Sequence, residues 1–147
     1  MADNYIEQEF DIHGQNPFSV QRWIVDLVVP AATTTIQVVS PFELVGWVAA
    51  VRINPGVVKA NATIRGWQQT QPVISTTEAF LLYVAATTAE KTIYPRLEAL
   101  DNTGAVFATK QYSMYIVSGI CVLELGSGSG VADPADDCRV EVIVIGG

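Results

Sequence analysis

Charge is scarce in this chain of 147 residues, since only 16% of them are Asp, Glu, Lys or Arg, against roughly a quarter in an ordinary globular protein. Basic charge is the scarcest: eight Lys and Arg face fifteen Asp and Glu, for a formal net charge of −7 and a sequence pI near 4.5. The eight are scattered from Arg22 to Arg139 without a basic run. A nucleic-acid partner, which needs clustered cations to neutralise phosphates, is therefore not expected, and an anionic membrane surface is disfavoured by the same shortage. Histidine occurs once. Nucleophilic catalysis of the Ser–His–Asp or Cys–His kind needs a histidine oriented by a third group. His13 stands instead beside Gly14 in a polar stretch and reads as an exposed loop residue. Cysteine occurs twice, at Cys121 and Cys138, too few for a zinc site with its four ligands. Long apolar runs are missing as well. The longest, over 42–53, is interrupted by Glu43, Gly46 and Arg52, well short of the ~20 residues that cross a bilayer. The acidic, polar start has none of the marks of a secretory signal, so a soluble product made in a cytoplasm is expected.

What is present is alternation with period two, which places successive side chains on opposite faces of a strand. In 57–65, Val58, Ala60, Ala62 and Ile64 share one face and Lys59, Asn61, Thr63 and Arg65 the other. Near the end, Val140, Val142 and Val144 alternate with Arg139, Glu141 and Ile143. Further strands are expected over 20–29, 35–39, 42–53, 79–86, 91–99, 105–115 and 120–125, most of them rich in Val, Ile, Thr and aromatics. Asn54-Pro55-Gly56 and Asp101-Asn102-Thr103-Gly104 have turn composition. Pro30, Pro41 and Pro95 belong at strand ends, edges or bulges, because proline cannot donate to a ladder. Residues 76–88 contain Glu78, Ala79, Leu81 and Leu82, good helix formers, and a helix there is the competing reading. The expected fold is an all-β antiparallel sandwich or barrel. Residues 1–17 form an extended N-terminal arm and residues 18–147 a single β domain.

Two segments stand apart. The arm ends in His13-Gly14-Gln15-Asn16-Pro17, and Tyr5, Ile6 and Phe10, with Phe18 at its root, are the candidate anchors on a partner. Glu7, Glu9 and Asp11 give one side of an extended arm an acidic character that suits a basic surface. The second is Gly126-Ser127-Gly128-Ser129-Gly130 with the acids Asp133, Asp136 and Asp137, which reads as an exposed loop joining the last two strands. Those acids do not match the calcium loop of an EF-hand, and no lysine or helix follows the glycines to make a phosphate loop. If Leu125 faces Cys138 across a closing hairpin, Cys121 lies about 13 Å along the strand from a bridging position, so no disulfide within the chain is expected. No catalytic, metal or cofactor residue is assigned. Trp23, Trp47 and Trp67 read as core or interface anchors; a glycan- or receptor-binding groove around Trp47 or Trp67 is the alternative.

The unsignalled start Met1-Ala2-Asp3-Asn4, the polar arm, the Ala/Thr/Val-rich strands and the closing pair 120–125 and 138–145 around a Gly/Ser/Asp loop resemble the capsid decoration (cement) proteins of tailed bacteriophages. That resemblance implies a virion structural protein on the outer capsid surface. It implies self-association, a trimer being favoured, and clamping of the major capsid protein. Physically, a charge-poor surface suits burial by neighbouring subunits.

Overall fold

The computed structural model describes residues 3–10, 19–30, 32–55, 62–69, 80–85, 90–98, 103–105, 109, 112–126 and 136–146. Within them the chain is all-β, and two antiparallel sheets pack face to face as a sandwich. The first sheet is built from β1 (Asn4–Phe10), β2 (Ser19–Val29), β12 (Asp136–Gly146) and β4 (Leu44–Pro55), in that spatial order. The far edge of β4 is shared by β10 (Ile116–Gly119) and β7 (Lys91–Ile93). The second sheet runs β3 (Thr35–Val39), β11 (Cys121–Gly126), β5 (Ala62–Gln68) and β6 (Leu81–Ala85). A short pair, β8 (Arg96–Glu98) and β9 (Tyr112–Met114), stands beside them.

Alternation places the core. Val140, Val142 and Val144 of β12, Trp23, Val25, Leu27 and Val29 of β2, and Leu123 and Leu125 of β11 are all fully buried. Each such side chain contributes on the order of 1.5–3 kcal/mol by leaving water. In β4 the phase changes midway. Val144 pairs with Val48 and Ile143 with Ala50, leaving Ala49 as an extra, bulged residue. A bulge inserts one residue into a period of two, so Leu44 and Val48 face the core before it and Val51 and Ile53 after it. Gly46, at φ +138°, brings β4 against the end of β12; a Cβ there would lie 2.2 Å from the Ile145 carbonyl oxygen. Only glycine fits both the torsion and the space.

The chain passes between sheets at two corners, and these are tied together. Ser40, between β3 and β4, donates its N–H to the Cys121 carbonyl at 2.8 Å. Its hydroxyl accepts the Cys121 N–H at 3.0 Å and donates to the Phe42 carbonyl at 2.8 Å. On the other side of the crossing, the Gln68 side-chain amide accepts the Ser118 N–H at 3.1 Å and donates to the Ser118 carbonyl at 3.0 Å. That amide occupies the place of a neighbouring strand on the edge of β10.

Several expectations are revised. Residues 4–10 do not extend away as an arm. They form β1, paired over its whole length with β2 of the same chain, from Asn4↔Val25 to Phe10↔Ser19; residues 11–17 lie outside the described part. The closing hairpin does not form either, because β11 is held between β3 and β5 while β12 fills the gap between β2 and β4 in the other sheet. Cys121 and Cys138 are both buried and not joined in a disulfide, separated by sheet rather than by register. Residues 81–85 are a strand paired with β5 rather than part of a helix, since Gly66 and Ile64 offer an open ladder there; residues 76–79 and 86–88 lie outside the described part. The strand expected over 91–99 is cut in two around Pro95, whose ring cannot donate to a ladder.

Candidate interaction face

The outward positions of the first sheet follow from its register. One row crosses the strands as Tyr5, Ile24, Glu141 and Arg52. On one side of it runs Asp26, Arg139 and Asn54; on the other, Glu7, Arg22, Ile143 and Ala50. Beyond these lies Val20, Ile145, Trp47 and Ile116. The face is thus divided into a charged half and an apolar half.

The charged half holds two clusters of ion pairs. Glu141 lies 3.6 Å from Arg22 and 3.5 Å from Arg52, and Arg52 meets Glu90 at 2.9 Å. Arg139 reaches Asp3 at 3.2 Å and Asp26 at 3.5 Å. The hydrogen bond that Arg52 donates to Glu90 raises the Arg52 pKa above its ordinary value, and the charges of Glu90 and Glu141 add to that. For Arg139, desolvation pulls down, but the Asp26 charge, a hydrogen bond with Tyr5 and the Asp3 charge outweigh it and raise the pKa. Ile24, Arg52, Asn54, Glu90, Arg139 and Glu141 surround a shallow hollow of about 170 Å³. Cations and anions alternate around it, so it concentrates neither sign of charge.

The apolar half is the unusual feature. Val20, Ile143, Ile145 and Trp47 are half-buried, while Ile116 is 69% exposed and Val45, next to it on β4, 52%. Met114, two residues before Ile116, is 49% exposed. The row from Val20 to Ile116 crosses four strands, a width of roughly 14 Å at the ordinary strand spacing. Outer sheet faces are ordinarily polar, and a contiguous apolar patch rimmed by charge marks a contact surface.

The second sheet differs. Its outward positions Val122, Trp67 and Glu124 are only 4–6% exposed. The Glu124 carboxylate is bound on one oxygen by Arg65 and on the other by the Gln37 amide at 2.7 Å. The Arg65 guanidinium also lies 6.0 Å from the Trp67 ring centroid. Trp67 therefore offers no open platform for a glycan, and Trp23 lies in the core. Of the three tryptophans, Trp47 alone sits on the exposed face.

The four anchors named from sequence are separated. Tyr5 lies on the charged half, 38% exposed. Ile6 points inward and packs against the core. Phe10 ends β1 opposite Ser19, with its side chain outside the described part, as is the whole of Phe18. Sequence reasoning missed Val20, Val45, Ile116 and Ile145. The available signal was Ile143 and Ile145, which make the outward side of β12 apolar just where Arg139 and Glu141 end.

No family model matches the chain, and no curated protein matches it. A solved structure described as the crystal structure of FlhE is similar over 85% of this chain and 96% of that one, at 11% identity and a TM-score of 0.39. At that score the likeness does not extend to function.

Proposed function

We propose that this protein is a non-enzymatic structural protein that acts by docking the apolar half of its first sheet onto other subunits. In its specific form it is a capsid decoration protein, self-associating as a trimer on the outer surface of a phage shell and bridging the major capsid protein. The observation that carries the reading is the row Val20, Ile145, Trp47 and Ile116, an apolar stripe on the outer face of a chain that is otherwise short of charge. Such a stripe gains by being covered, and weak contacts repeated over a lattice gain further by multivalency. The alternative of a glycan- or receptor-binding module rests on Trp47 alone.

Size-exclusion chromatography with light scattering over a concentration series, followed by co-sedimentation with capsid shells, tests it. The expected result is a trimer that binds shells, converted to a non-binding monomer by Trp47→Glu together with Ile116→Glu. A wild-type chain that stays monomeric at every concentration and leaves shells unbound would overturn the reading.

A further inference from the structure

A second surface, separate from the apolar face, is the outer edge of β1. The Asp26 N–H donates to the Asp3 carbonyl at 2.8 Å, and that bond sets the phase of the β1–β2 ladder. In an antiparallel pair the residues bonded to the partner alternate with residues whose N–H and C=O turn the other way. With Asp3 directed at β2, Tyr5, Glu7 and Glu9 are directed at β2 as well. The backbone groups of Asn4, Ile6, Gln8 and Phe10 then turn to the free side. Among the described residues no strand pairs with that side. The edge has no proline, lysine or bulge to blunt it, whereas the edge of β10 is capped by Gln68.

The interior on this side of the sandwich is also incompletely closed. Of the hydrophobics that pack against the core while remaining half-exposed, Ile6 belongs to β1 and Ile36 and Val38 to β3. These are the edge strands of the two sheets, and they approach each other where the Asn4 amide donates to the Val39 carbonyl at 2.9 Å. A strand added to β1 would turn alternate side chains inward to cover these three. The others would turn outward beside exposed Glu7, with Glu9 at the next equivalent position.

From this we infer that the β1 edge takes up an extended segment of a partner protein in which apolar residues alternate with Lys or Arg. A second copy is a poor occupant. Two β1 strands would oppose carboxylate to carboxylate, and nowhere in this chain do two basic residues stand two positions apart. The added strand would gain main-chain hydrogen bonds from the edge and its specificity from alternate side chains. This inference does not depend on the apolar face.

The test is fluorescence anisotropy with labelled peptides long enough to span β1, one alternating valine with lysine and one alternating valine with glutamate. The lysine peptide is expected to bind, the glutamate peptide at least about tenfold more weakly, and salt to weaken the lysine peptide. Two variants localise the site. Glu7→Lys with Glu9→Lys should reverse the preference between the peptides. Gln8→Pro removes an N–H that turns away from β2, so it should leave the melting temperature in place and abolish uptake. Equal binding of both peptides, no binding of either, or full binding by a folded Gln8→Pro protein overturns the proposal. So does a wild-type dimer that Gln8→Pro converts to monomer without any peptide uptake, because the occupant is then a second copy.

Discussion

Trp23 donates its indole N–H to the side-chain oxygen of Asn4 at 2.7 Å, and the amide nitrogen of Asn4 donates in turn to the Val39 carbonyl at 2.9 Å. One side chain of β1 thereby satisfies the polar atom of a fully buried tryptophan and links the two sheets. Replacing Asn4 by Ala leaves a buried donor without its acceptor, at a cost of about 1–3 kcal/mol. Urea unfolding should show that loss, and hydrogen exchange should show β1 amides losing protection ahead of β12.

Gly46→Ala sets a methyl group against the backbone of β12, in a torsion that L residues rarely adopt. Overpacking and strain each cost roughly 1–3 kcal/mol, so destabilisation by at least ~2 kcal/mol is expected in denaturant titrations. Gly104→Ala is the control: φ is +84° there, but nothing lies within 4 Å, so only the torsional share is expected.

Ala32 is the one non-glycine residue with positive φ among those described, at 68°. It lies in a turn closed by the Thr33 N–H donating to the Pro30 carbonyl at 3.2 Å. Ala32→Gly should relieve about 1 kcal/mol of strain, partly offset by the greater freedom of glycine in the unfolded chain. A small rise in melting temperature is the expected reading.

Burial pushes the Cys121 thiol up to about 12 from 9.0. The folded protein holds this proton more tightly than the unfolded chain. The associated stability is therefore complete below pH 9 and falls as pH rises towards 12, by up to ~1.4 kcal/mol per pH unit. Cys121→Ala should flatten that part of the stability–pH curve. In the native wild-type protein at pH 8, Cys121 should resist thiol reagents until the protein is unfolded.

The Glu124–Arg65 pair lies on the outward side of the second sheet, with the carboxylate buried and the guanidinium side chain 36% exposed. Glu124→Ala strands Arg65 and Gln37, at an expected cost of about 2–3 kcal/mol, below that of a fully buried pair because water still reaches the arginine. Replacing both, Glu124→Leu with Arg65→Met, should recover most of the loss. A double-mutant cycle in urea measures the coupling.

The fold class was legible because alternation is local: Val140, Val142 and Val144 announce both a strand and its buried side. Strand partnership was not. The sequence of β12 would suit a hairpin with β11 as well as the slot between β2 and β4, and the choice is made by segments more than eighty residues earlier in the chain. The bulge at Ala49 hid part of the apolar face. It reverses the phase of β4, so Trp47 and Arg52, five positions apart, share one side. The row from Val20 to Ile116 draws on four strands distant in sequence, and only the register assembles it.

The position of β12 bears on how the molecule is made. The strand that fills the middle of the larger sheet ends at residue 146, so its two neighbours leave the ribosome long before their shared partner exists. Until then β2 and β4 each present an unpaired edge with its apolar side uncovered, and closure must wait for contacts across more than eighty residues. Formation of the larger sheet therefore waits for β12 and is slow by topology. The nascent chain is exposed to misassociation for the whole interval between translating β4 and releasing β12.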